Sequence, residues 1–131
     1  MALGAIEKIG IWQGFAKQAE ESCTQVSFPS SDRAVFDFDC HPELARLTRD
    51  EMISKVKELV LANVGANIHL NINVDLDADA EGYLERVKFT ENDGGDLSPY
   101  AETLERIANA MRMQIRAPEG SHGVRMDLRV N

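Results

Sequence analysis

The chain has 131 residues, 44% of them hydrophobic and 27% charged, with a formal net charge of −8. That is enough for one core and excludes wholesale disorder. So acidic a surface repels phosphate backbones, which argues against nucleic acid as a partner and for a basic protein surface.

No apolar run approaches the roughly 20 residues needed to span a bilayer, so no membrane partner is expected. The opening MALGAIEKIGIWQ has Glu7 and Lys8 early and no small-residue cleavage site, so it does not read as a signal peptide. Cys23 and Cys40 are too few for a disulfide framework. They read as reduced, small buried thiols in a cytoplasmic protein.

In chain order, Ala5, Ile6, Ile9, Ile11, Trp12, Phe15, Ala16 and Ala19 are read as recurring at helical spacing and predict an amphipathic helix over 3–21. Gln25 to Phe28 and Ala34 to Phe38 predict two strands around the turn cluster Pro29-Ser30-Ser31-Asp32. Pro42 breaks the stretch that follows. Thr48-Arg49-Asp50-Glu51 has capping-box spacing and opens a helix with the stripe Met52, Ile53, Val56, Leu59, Val60 and Val64, stopped by Gly65. From Ile68 to Asp77 apolar and polar residues alternate, which predicts a strand with one wet face. A return strand runs from Tyr83 to Thr90. A third helix starts near Leu97, with Pro99 in its first turn and the stripe Leu104, Ile107, Ala108 and Met111. Met113 to Ala117 and Val124 to Val130 predict a closing hairpin.

These elements predict an α+β fold. The expected form is a two-layer sandwich, a mostly antiparallel sheet of about six strands with three helices in the order α-ββ-α-ββ-α-ββ. The chain reads as a single domain, with a leading helix over 1–22 and the sandwich over 23–131. The units share no residue-level similarity that would make them a repeat.

Two motifs stand at turns. Asn63-Val64-Gly65-Ala66-Asn67 sets two amides four residues apart at the end of the second helix. Glu91-Asn92-Asp93-Gly94-Gly95 is a carboxylate-amide-glycine corner between strand and helix. With Leu97-Ser98-Pro99, Leu104-Glu105-Arg106-Ile107 and the ending Gly120-Ser121-His122-Gly123-Val124-Arg125-Met126, they make residues 24–130 resemble the Bergerat ATP-binding fold. Histidine kinases and anti-sigma kinases share that fold. The resemblance implies that Glu91 or Asp93 would accept the adenine amino group. Asn67 would bind Mg²⁺ across the phosphates, with Asn63 as its neighbour. Gly95 would let the backbone approach the base.

The sequence departs from the family at the corner, where Glu91 replaces the aspartate and Asp93 the first glycine. It also has no glycine-rich lid between Gly95 and Gly120. A degenerate, lidless domain of this kind implies no catalytic residues, no ATP hydrolysis and no resident cofactor. It implies a signal-transduction domain that acts by binding a protein, such as a response regulator, a kinase or a sigma factor. The leading helix, with Trp12 and Phe15, would dock or form a homodimer. The alternative is an acidic dimeric binding module of the secretion-chaperone type, although such chaperones end on a helix rather than a hairpin.

Other motifs yield to plainer readings. Cys40-His41-Pro42-Glu43-Leu44 looks like a phosphoacceptor site, but Pro42 breaks the helix that an acceptor histidine needs. Asp37, Asp39, Cys40 and His41 lack a second cluster to complete a zinc site. Asp75, Asp77, Asp79 and Glu81 start like a calcium loop, but Ala80 and Arg86 stand where glycine and glutamate belong. No metal is expected.

Overall fold

The computed structural model describes residues 23–64, 70–121 and 123–130. The leading helix expected over 3–21 lies outside the described residues. The five strands are β1 (Thr24–Ser30), β2 (Arg33–Phe38), β3 (Leu70–Ala78), β4 (Leu84–Glu91) and β5 (Gly123–Val130). The helices are α1 (Arg49–Asn63) and α2 (Ala101–Gln114), the latter entered through a 3-10 turn at Ser98–Tyr100. The strands form one sheet in the order β1-β2-β4-β3-β5, with every neighbouring pair antiparallel.

The alternation in β3 is obeyed strictly. Ile72, Val74 and Leu76 are buried, whereas Asn71, Asn73, Asp75 and Asp77 stay partly exposed. β4 adds Val87 and Phe89 to the inner face, and β2 adds Ala34, Phe36 and Phe38. Phe36 meets Phe89 edge to face, with ring centroids 5.7 Å apart. That arrangement suits the quadrupoles of the two rings. Both helices lie over this face. α1 buries Met52, Val56, Leu59 and Val60, and α2 buries Leu104, Ile107, Ala108 and Met111.

The capping box of α1 forms as its spacing predicts. Thr48 Oγ1 accepts from the Glu51 N–H at 3.2 Å, and Glu51 Oε1 accepts from the Thr48 N–H at 2.9 Å. Those bonds hold the Glu51 carboxyl below its ordinary pKa, the Thr48 backbone donor contributing most. α1 ends at Asn63, where Val64 turns extended while its N–H still reaches Val60 O at 3.1 Å.

Three expectations need correction. Among the described residues the sheet has five strands rather than about six, and there are two helices rather than three α-ββ units. The closing hairpin is absent because α2 runs on through Met113 and Gln114. Ile115 continues the helical stripe set by Ile107, Ala108 and Met111, so its period fits a helix as well as a strand. Of the expected strand only Arg116 forms a bridge, to Tyr83, and Ala117 N–H donates to Gly82 O at 2.7 Å. β5 pairs instead with β3, where Val124, Met126 and Leu128 lie opposite Leu76, Val74 and Ile72.

The third correction concerns the cysteines. Cys23 and Cys40 are joined in a disulfide across the open end of the β1–β2 hairpin, with Cα atoms 5.3 Å apart. The register makes this natural, since Thr24 pairs with Phe38 and the Asp39 N–H donates to Cys23 O at 2.8 Å. Such a bond persists in oxidising surroundings. The argument from reduced thiols to a cytoplasmic protein therefore falls away. No described helix is long and apolar enough to cross a membrane.

Two outcomes follow. Replacing both cysteines by serine, or adding a reductant, should lower stability by about 3 kcal/mol, as expected for a closed loop of this size. Urea denaturation with and without the bond measures it. The depressed Glu51 carboxyl should add stability that is complete above the ordinary glutamate pKa and lost as pH falls through the lower folded value. Melting temperatures of wild type and Glu51→Gln should therefore converge as pH drops through that acid window.

Candidate functional site

The corner after β4 is held from three sides. The Glu91 N–H donates to Asp32 O at 2.8 Å, and the Leu97 N–H donates to Ser31 O at 2.7 Å, which ties it to the β1–β2 turn. The Asn92 N–H donates to Asn71 O at 2.7 Å, and Asn92 Nδ2 donates to Asn71 Oδ1 at 3.0 Å, which ties it to the start of β3. Leu97 is fully buried and anchors the corner in the core.

Within the corner, Glu91 turns back on its own chain. It is only 8% exposed, and its Oε1 accepts from the Asp93 N–H at 2.7 Å. Gly94 takes φ +77°, a conformation that favours glycine. A Cβ placed on Gly95 would lie 3.2 Å from Glu91 Oε2, so this glycine leaves room for the carboxylate rather than for a base. Asp96 Oδ1 accepts from the Ser98 N–H at 2.9 Å, which lowers its pKa. Asn92, Asp93 and Asp96 remain exposed, so the rim is acidic.

Of the five residues singled out in the sequence, Glu91, Asp93 and Gly95 share this corner. Asn63 is half-buried at the end of α1, and its Nδ2 donates to Leu59 O at 2.7 Å. No described hydrogen bond joins it to the corner. Asn67 lies outside the described residues. Neither of two surface hollows, one near Leu61 and Leu128 and one near Asp75 and Lys88, is lined by any of the five.

Sequence reasoning missed the organisation of the loop after β2. His41 stacks on Tyr83 with centroids 3.5 Å apart and planes within 6°. Arg116 lies 4.6 Å from the centroid of the same ring and donates to Leu44 O and Glu81 O. Buried Arg112 reaches Cys40 O at 3.5 Å and Cys40 Sγ at 3.6 Å. His41 is thus part of a stack that packs a proline-broken loop. Pro42 was the available signal, but nothing in the sequence pointed to Arg116 as the partner of Tyr83. Among the described residues no cluster of His, Cys, Asp and Glu could hold a metal ion.

No protein-family model, no curated protein and no solved structure matches the chain.

Removing the Glu91 carboxylate should destabilise the corner, because the Asp93 N–H loses a charged acceptor. Glu91→Ala should cost about 1–3 kcal/mol in urea denaturation. Exposed Asp93→Ala should stay within about 0.5 kcal/mol. A neutral Glu91→Ala would mean that the carboxylate is available for something other than its own turn.

Proposed function

We propose that the chain is a protein-binding domain of signal transduction, akin to a lidless histidine-kinase-like fold, working through a partner rather than by ATP hydrolysis. The observation that carries this reading is the commitment of Glu91. The one buried carboxylate of the corner accepts from its own backbone, so it is poorly placed to accept from an adenine amino group.

Two features agree with kinship to that fold. The chain runs helix, hairpin, corner and helix in the family's order, although it closes on one strand where the family has a hairpin. The start of β3 lies beside the corner, where Asn92 donates to Asn71. Between Gly95 and Ser98 there is no room for a lid, because α2 follows the 3-10 turn directly.

Without lid donors the phosphates have little to hold them. The exposed Asp93 and Asp96 instead offer an acidic edge to a basic surface. A response regulator, a kinase or a sigma factor fits this role.

Millimolar Mg-ATP should leave the melting temperature unchanged, since only a ligand that binds the native state raises it. A clear rise would restore the nucleotide reading. Binding to candidate response regulators, followed by titration calorimetry, should weaken with salt and with Asp93→Lys plus Asp96→Lys. Unchanged affinity in that variant would remove the rim from the interface.

A further inference from the structure

The two outer edges of the sheet are not equivalent. β1 contains Pro29 and a register shift between Ser27 and Ser30, devices that blunt an edge. β5 has neither. Its eight residues pair with β3 without a break from Leu70↔Val130 to Asp77↔Gly123. Among the described residues no strand lies on its other side. A groove of about 300 Å³ runs beside it, lined by Lys57, Val60 and Leu61 of α1 and by Asp127, Leu128 and Arg129 of β5. Leu61 is 61% exposed there.

We propose that β5 pairs antiparallel with β5 of a second copy of this chain, centred on Met126. Two five-stranded sheets then become one continuous sheet. The strand is self-complementary in that register. On the outer face Arg125 of each copy meets Asp127 of the other. On the helix side Met126 faces Met126, and Val124 faces Leu128. Val124 therefore arrives at the mouth of the groove beside exposed Leu61.

Neighbouring registers that keep inner and outer faces aligned are worse. Centring on Arg125 sets that arginine against itself. Centring on Asp127 sets aspartate against aspartate and Arg125 against Arg129. Like charges directly opposite each other are destabilising, and a one-residue slip would put charges on the apolar side. Centring on Leu128 recovers an Asp127–Arg129 pair but aligns fewer residues. Charge pattern and overlap together select the Met126 register.

The test uses the full chain in light scattering coupled to gel filtration and in sedimentation equilibrium. Wild type should run as a dimer. Asp127→Arg and Arg125→Asp, each alone, place like charges opposite and should weaken the dimer about tenfold or more. Mixed one to one, the two variants should form a heterodimer, because each reversed charge then meets its opposite. Circular dichroism should show both folded. Arg125→Asp also loses the pair with Asp75, in which Arg125 is 69% exposed and Asp75 25%. Asp127→Arg leaves that pair intact and is the cleaner of the two. A wild type that stays monomeric at its highest soluble concentration overturns the proposal. So does a dimer unaffected by either reversal, which would assign association to another surface such as the leading segment. Reversals that weaken the dimer without rescue on mixing overturn the register.

Discussion

The alternation of β3 divides the molecule into an oily and a wet side, and the positions of both helices follow from it. Ile72, Val74 and Leu76 can enter the core only if Asp75 and Asp77 stay out. A slip of one residue would exchange them, and burying an unpaired carboxylate costs several kcal/mol. The wet side is arranged to suit this acidic strand. Asp75 lies between Lys88 of β4 and Arg125 of β5 in the ladder, and Arg125 Nε sits 3.2 Å from Asp75 Oδ1. Asp77 lies opposite Arg86, which also bonds Asp37 of β2 at 2.5 Å and is held above its ordinary pKa by that contact. Such exposed pairs add little stability. They match the order of strands, with Arg86 and Lys88 of β4 and Arg125 of β5 on either side of the aspartates of β3.

Much of this was legible because the signals were periodic. The capping box fixed the start of α1, and the strict alternation fixed β3 and its wet face. The return strand after β3 also stands close to where the pattern put it. What failed was non-local. Nothing local tells Met113 to Ala117 whether to finish a helix or begin a strand, since Ile115 serves either period. The partner of β5 is set by cross-strand matching with β3, and that match becomes visible only once the register of β3 is known. The disulfide was hidden for the same reason: seventeen positions of sequence separate the cysteines, and only the hairpin closes that gap. At the corner, residue types alone could not say whether Glu91 faces a ligand or its own backbone.

The corner and the loop after β2 solve one packing problem in two ways. Both connect a strand to a helix over the end of the sheet. At the corner a buried carboxylate does the joining, with Gly94 and Gly95 making room for the turn. At the loop, covalent and ring contacts do it, through Cys23–Cys40, His41 on Tyr83 and Arg116 on the same ring. The glycine at position 82 belongs to this second solution. Its φ is +91°, and a Cβ there would meet the Ala117 backbone oxygen at 2.5 Å. Chain from three separate elements therefore converges at Tyr83, which explains why a polar, proline-broken stretch can hold one conformation without regular structure of its own.

Geometry relates the acidic rim to the free edge. The rim stands where β4 ends and β3 begins, and the β3–β5 register places Arg129 opposite Asn71, next to that rim. Antiparallel pairing of β5 with its copy reverses the direction of the second sheet. The end of β5 nearest the rim in one copy then meets the Gly123 end of the other. The two rims consequently lie at opposite ends of the joined sheet, each turned away from the seam. A partner bound at one rim neither covers the seam nor reaches the second rim. The proposed self-association and the proposed capture of a basic partner therefore do not compete for surface.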